Sequence, residues 1–577
     1  MKNIVHPAAR RLSLHIWRTR YRDGDEAGPD VTIRRVARAV AAVEARDRDG
    51  WAARFLELMG GWRFLPGGRI LAGAGTARRV TLFNRFVMGT ITASLDGIFE
   101  ALKEGALTMQ QGGGVGYDFS TLRPRGSPAM ACGTVASGPV SFMRIWDATC
   151  GELLSTGARR GAMMATLRCD HPDVLEFVNA KRSRGQLTRF NLSVAVTDDF
   201  MACLERGGDW PLVFPPGGEA PWVARSVPAQ KLWEAIADAA WASAEPGVLF
   251  IDRINRENNL RHCEALAATN PCGEIPLPPY GACNLGSFNL TAYVDAPFTG
   301  RARLDLQRLA ADVPLAVRFL DNVIDATGFP LPAQAEEARR TRRIGLGLTG
   351  LADALLMLGH RYDSDAGRAA ATAAMKTITT AAYRASSVLA AERGPCPAWD
   401  AGAVMETPML SRLPAPVRDA VAAAGLRNGH LTAIAPAGTI SLLAGNVSSG
   451  VEPVFDATQR RRVLDADGRY REFDIPDLGV ALWRSGSGDD SLPPGFVTAR
   501  ELAPEAHLAM QAALQPWVDA AISKTVNLPA DAPPDTVARI YTQAWRLGLK
   551  GCTAFRPNPV TGEILAPVPE APAVKTG

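Results

Sequence analysis

No two cysteines in this chain are spaced as C-x-x-C. The nine present, at 132, 150, 169, 203, 263, 272, 283, 396 and 552, are odd in number and scattered. That pattern excludes a secreted disulfide framework and a zinc ribbon, and no side-chain set is assigned to a metal. Long apolar runs are also missing: none reaches the roughly 18 residues of a spanning helix, and the N-terminal stretch lacks a signal-peptide core. A soluble chain in a reducing cytoplasm is therefore expected, with no membrane association. Excess charge of one sign is absent too, since 63 basic residues against 59 acidic leave a formal charge of +4. Such a balance argues against a nucleic-acid or membrane-surface partner.

What is present is an ordinary globular composition, 47% hydrophobic and 21% charged over 577 residues. It is enough for a large core. Residues 1–78 read as a small helical region, with VTIRRVARAVAAVEA carrying apolar positions at helical spacing. Gly112, Gly113, Gly114 and Gly116 follow a helical pattern, the reverse of the strand-to-helix order of a dinucleotide fingerprint. They suit close approach of backbone to a ligand or another strand. Arg159 and Arg160 beside Gly161 form either a phosphate contact or a solvated basic turn. The short β-type run LTAIA leads into Pro436–Ser441, which reads as a strand, a tight turn and a helix start. This is either a phosphate cradle of backbone N–H groups or a plainly capped turn. The proline-rich tail after 557 is expected to be disordered.

One stretch organises the rest: NPCGEIPLPPYGAC, from Asn270 to Cys283. Its prolines at 271, 276, 278 and 279 exclude an ordinary helix, so it should run extended or looped. In an extended chain Asn270, Cys272 and Glu274 would face one side, a thiol flanked by an amide and a carboxylate. The alternatives are a reactive constellation and a buried structural cysteine in a proline-rich loop.

Taken together, TLFNRFVMGTI, QQGGGVGYDFSTLRPRGSP, ASGPVSFMRIWDA, GARRGAMMATLRCDHPDVLEFVNAKR, NPCGEIPLPPYGACNLGSFNL, APAGTISLLAGNVSSGVEPVF and LGLKGCTAFRPN resemble the class II, adenosylcobalamin-dependent ribonucleotide reductases. The resemblance runs from about residue 80 to 560 in family order. It implies an α/β fold, a ten-stranded barrel over 79–557 with a central finger loop, and adenosylcobalamin as cofactor. It also implies reduction of ribonucleotides, taken as diphosphates, to 2′-deoxyribonucleotides. By the same resemblance Cys272 carries the thiyl radical, Glu274 is the base on the 3′-hydroxyl, Asn270 is its hydrogen-bonding partner, and Cys283 is one of two reducing thiols. Gly113, Gly114 and the turn Ala437, Gly438, Thr439, Ile440 and Ser441 would contact substrate, and Arg160 would lie in the effector loop. A dNTP effector, an external dithiol or thioredoxin-like reductant and a homodimer complete the implied partners.

The sequence departs from the pattern at Arg85, where the family usually has the second redox cysteine. Arginine forms no disulfide, and near Glu274 it would pair with the carboxylate. Cys132 and Cys150 are the candidates to replace the missing thiol. Ala93 stands where an acidic effector contact is expected, and Ala437 lacks a hydroxyl common in the phosphate turn. No ATP-cone-like region, C-terminal cysteine pair, adjacent tyrosines, glycyl-radical site or DxHxxG motif is found. These departures leave a catalytically impaired nucleotide-binding paralogue as the alternative to a working reductase.

Overall fold

A computed structural model of the chain describes residues 6–129, 134–155, 159–215, 222–464, 469–488, 490–560 and 566–567. Ten strands form its main sheet. Arg85–Val87, Gly114–Asp118, Met163–Arg168, Phe190–Val196 and Gly247–Phe250 run parallel in that order. Ala282–Asn289 joins one side of this set and Gly551–Phe555 the other, both antiparallel to it. Ile344–Thr349 then pairs parallel with Ala282–Asn289, and Thr525–Asn527 parallel with Gly551–Phe555. Single bridges from Leu346 to Thr432 and from Ile434 to Ile522 link these two flanks. The apolar run LTAIA thus serves as a link in the sheet rather than as a regular strand.

The strands read as they do because they are covered on both faces. Ile344–Thr349 and Ala282–Asn289 are buried at every position, the pattern of strands packed between other layers rather than half-solvated. Helices such as Leu95–Gln110, Pro139–Glu152, Leu306–Ala326 and Asp365–Arg393 form the surrounding layer. The N-terminal helices Pro7–Ile16, Pro29–Ala41 and Arg48–Met59 pack onto it. Phe55 meets Phe319 edge-on at 5.2 Å between centroids, and the Glu44 carboxylate is gripped by Arg318 and Arg393. Most of the 558–577 tail lies outside the described residues, although Ala566–Pro567 pairs with the strand Thr458–Leu464.

Inside the sheet, residues 268–277 rise as a short hairpin, Ala268–Thr269 pairing antiparallel with Pro276–Leu277. Its base is pinned by Thr166, whose hydroxyl donates to the Ala267 carbonyl at 3.1 Å. Gly116 explains how the hairpin comes so close: a Cβ there would stand 1.8 Å from the Thr269 carbonyl oxygen. Only a residue without a side chain permits that approach.

Candidate active site

The tip of this hairpin, Asn270 to Ile275, is a turn, not the extended run expected from the proline content. Gly273 takes φ +80°, and its N–H donates to the Asn270 carbonyl at 3.0 Å. The turn removes the alternation of an extended strand but brings Asn270 and Glu274 together by another route. Asn270 Nδ2 donates to Glu274 Oε2 at 2.8 Å while Asn270 Oδ1 accepts from Ile275 N at 2.8 Å. Both residues are fully buried. Cys272, between them, is only partly buried and lies on a cavity wall. Asn191 steadies the tip from the neighbouring strand, its Nδ2 donating to the Pro271 carbonyl at 2.7 Å.

Burial pushes the Cys272 thiol up to about 11, with Arg85 pulling it down and Glu274 pushing it further up. At neutral pH it is therefore an S–H group, unlike the thiolate of a nucleophilic cysteine. Arg85 sits directly opposite Cys283 in the register between Arg85–Val87 and Ala282–Asn289. Its Nε donates to Glu274 Oε1 at 2.8 Å, and the two side chains are 16% and 0% exposed. Cys283 is buried, its thiol donating to the Asn284 carbonyl at 3.2 Å, and burial pushes it well above an ordinary thiol. Of the candidate replacement thiols, Cys132 lies outside the described residues, and Cys150 packs against Met109 at 3.6 Å in the helical layer.

The cavity in front of Cys272 has a volume of about 770 Å³. Gly438, Thr439 and Ser441 line it, whereas Ala437 and Ile440 are buried in the core. The helix Gly438–Leu443 starts at this turn, and a Cβ on Gly438 would meet nothing within 4 Å, so open space lies before it. Ala437 N donates to Ser449 Oγ at 2.8 Å, Ser441 Oγ to Gly438 O at 2.7 Å, and Thr439 Oγ1 lies 2.7 Å from Tyr21 Oη. Gly114 faces Pro271 of the loop, whereas Gly113 faces Phe86 and Thr108 on the neighbouring strand and helix. Arg160 lies in a two-residue strand paired with Leu154, and residues 156–158 of that turn are outside the described set.

A tip thiol held as S–H, an amide–carboxylate pair behind it and a cavity running to a helix start make up the site. The family model described as the ribonucleotide reductase barrel domain matches residues 85–555, and that of the all-alpha domain matches residues 10–79. The chain belongs to the ribonucleotide reductase family. A vitamin B12-dependent ribonucleoside-diphosphate reductase of Mycobacterium tuberculosis is 42% identical over 96% of this chain and 80% of that protein. One of Thermoplasma acidophilum is 38% identical over 89% of this chain and 66% of its own length. A vitamin B12-dependent ribonucleotide reductase of Streptomyces avermitilis is 30% identical over 82% of this chain and 56% of its own.

Several side chains that line this reductase cavity escape sequence reading. Asn191 is the sole amide in the apolar run FNLSVAV, a polar break that was a usable signal. Glu245, Glu452, Arg461 and Lys524 are also on the wall, and nothing in their local sequence marks them. Among the described residues no group of three or more His, Cys, Asp or Glu is placed to hold a metal ion. No helix among them is long and apolar enough to cross a membrane.

Proposed function

We propose that this chain is an adenosylcobalamin-dependent ribonucleoside-diphosphate reductase. The observation that carries the reading is Cys272, a protonated thiol at the finger tip, on the cavity wall and in front of the Asn270–Glu274 pair. The relatives named above are vitamin B12-dependent, and the residues present suit that cofactor: a thiol that keeps its hydrogen stands beside a large cavity. Apolar side chains of Leu528, Phe555 and Pro557 offer the wall that would hold it. When bound, adenosylcobalamin supplies the radical that takes the hydrogen from Cys272 Sγ.

The chain's own groups do the rest. Cys272 abstracts the 3′-hydrogen, Glu274 accepts the 3′-hydroxyl proton, and Asn270 fixes the carboxylate. The turn 437–441 receives the phosphates, with Gly438, Thr439 and Ser441 facing them, and Gly113 and Gly114 lie against the substrate. Reduction at the 2′-carbon takes two electrons and releases the 2′-hydroxyl as water, leaving two thiols joined as a disulfide. Cys283 is one of them. Arg85 fills the position opposite, so the second thiol comes from an external dithiol or thioredoxin-like protein. The 1–78, 79–557 and 558–577 divisions, a dNTP effector site that includes the Arg160 turn, and a homodimer belong to the same reading. Two adjacent helices support the homodimer by exposing Leu95, Phe99 and Ile145.

The test is deoxynucleotide formation from CDP with adenosylcobalamin. With excess dithiol the chain is expected to turn over repeatedly. Without dithiol it should yield none, while pre-reduced Arg85→Cys should yield about one product per chain. Absence of product from the unmodified chain in excess dithiol, with turnover by Arg85→Cys, overturns the reading of a working enzyme. Loss of all radical chemistry in Cys272→Ser is expected as well.

A further inference from the structure

The turn proposed to receive the phosphates, PAGTIS from Pro436 to Ser441, contains no cation. A nucleoside diphosphate brings several negative charges into the cavity, and burying them without a counter-charge is costly. Lys524 is fully buried and committed: Nζ donates to Glu452 Oε2, to His507 Nδ1 at 2.8 Å and to the Thr525 carbonyl at 2.7 Å. Glu245 is paired with Lys181 at 2.7 Å. Arg500 lays its guanidinium over the Phe455 ring at 5.1 Å.

Arg461 differs from these. The strand Thr458–Leu464 pairs with Tyr470–Pro476, and its side chains alternate. Arg460 and Arg462 reach the acids of the neighbouring strand, Arg460 to Asp474 at 2.7 Å and Arg462 to Glu472 at 3.5 Å. Gln459 and Arg461 lie on the other face and line the cavity with Ser441, Leu442 and Asn446. Among the described residues, Arg461 Nε and Gln459 Oε1 are buried with no hydrogen-bond partner, and no carboxylate lies within ion-pair distance of Arg461. Asp477 is the acid whose field it feels, and burial together with Asp353 pushes that carboxyl well above the usual range. Asp477 also accepts from the N–H groups of Gly479 at 3.0 Å and Val480 at 3.3 Å. Burial lowers Arg461 only to about 10, so it keeps its charge at neutral pH.

We propose that Arg461 is the cationic anchor for the phosphoryl groups of a nucleoside diphosphate held in this cavity, opposite the backbone of the 437–441 turn. The proposal rests on the reductase reading for the identity of the nucleotide, while the anion site itself does not. A planar guanidinium suits two phosphoryl oxygens at once, and an unpaired one gains most from them.

The test measures dissociation constants of inorganic pyrophosphate, CDP, cytidine and adenosylcobalamin by calorimetry, on the full chain and on Arg461→Gln, Arg461→Lys and Arg460→Gln. Arg461→Gln is expected to weaken pyrophosphate and CDP about 10-fold or more. Arg461→Lys should weaken them less, and Arg460→Gln, the charge control on the outer face, not at all. Cytidine and adenosylcobalamin should be unaffected throughout. Melting temperatures monitor folding, and Arg461→Lys keeps the comparison open if the glutamine variant does not fold. Unchanged pyrophosphate and CDP binding in Arg461→Gln overturns the proposal. A loss confined to adenosylcobalamin would assign the guanidinium to the cofactor's phosphodiester and overturn the nucleotide assignment. Arg461-dependent pyrophosphate binding that CDP does not displace would leave an anion site standing while the nucleotide assignment and the reductase reading fall.

Discussion

In the proposed reaction Cys272 keeps its hydrogen until a radical removes it, and its surroundings suit that role. Burial is the largest influence on the thiol and holds it at about 11, above the ordinary 9.0. A thiol with a raised value is protonated below it, so alkylation by iodoacetamide should be slow at pH 8 and should keep rising towards pH 11. A plateau near pH 9 would contradict the buried-thiol account. Arg85 and Glu274 act as a pair at the same scale. Glu274→Gln leaves a largely buried guanidinium without its carboxylate and is expected to cost about 3 kcal/mol in urea unfolding, with loss of deoxynucleotide formation. Adding Arg85→Leu should restore much of the stability and none of the activity. Much of this was legible from sequence: the Asn270, Cys272, Glu274 and Cys283 set and the meeting of Arg85 with Glu274 are both found in space. The extended tip was not, because Gly273 at φ +80° turns the chain where alternation would have continued it. Arg461 and Lys524 were illegible for a different reason: each is an ordinary basic residue locally, and only the fold brings it to the cavity.

At the scale of elements, the finger hairpin is positioned by its contact with the strand Gly114–Asp118. The glycine run there was read as a place of close approach, and Gly116 shows what approaches, the Thr269 carbonyl. Gly116→Ala is therefore expected to push the hairpin away, costing about 1–3 kcal/mol and lowering turnover more than nucleotide affinity. Thermal unfolding and steady-state kinetics check this, and a variant with normal stability and turnover would show that the contact is dispensable. Helices were the easier elements to read, since Pro29–Ala41 falls on the VTIRRVARAVAAVEA segment whose apolar positions recur at helical spacing. Strands of the main sheet were harder. Buried on both faces, they lose the alternation that marks a strand, and the ten-strand order comes from pairing between segments far apart in the chain.

For the whole molecule, the decisive contact joins the N-terminal helices to the sheet's helical layer. Glu44 is 3% exposed there and takes hydrogen bonds from Arg318 Nε at 2.7 Å, Asn322 Nδ2 at 2.8 Å and Arg393 Nη2 at 2.6 Å. Arg318 also reaches Glu392 at 2.7 Å and Arg393 reaches Asp321 at 3.3 Å, so the contact is part of a wider ion-pair network. The same N-terminal region supplies Tyr21 to Thr439 of the 437–441 turn, so loosening this contact should reach the cavity. Burial alone would raise the Glu44 carboxyl. The bonds from Arg318, Asn322 and Arg393 outweigh it and hold the group at about 2, below its ordinary 4.5. Because the folded value is depressed, the stabilisation is fully present above pH 4.5 and is lost as the pH falls towards 2. Glu44→Gln keeps the shape and removes the charge. It is expected to lower stability at pH 7 by about 3 kcal/mol, as breaking a buried ion pair does. The gap between the two proteins should then narrow as the pH falls below 4.5, which urea midpoints at pH 7, 5 and 3 would show. A gap that stays constant over that range would mean that Glu44 holds the two parts together by packing rather than by charge.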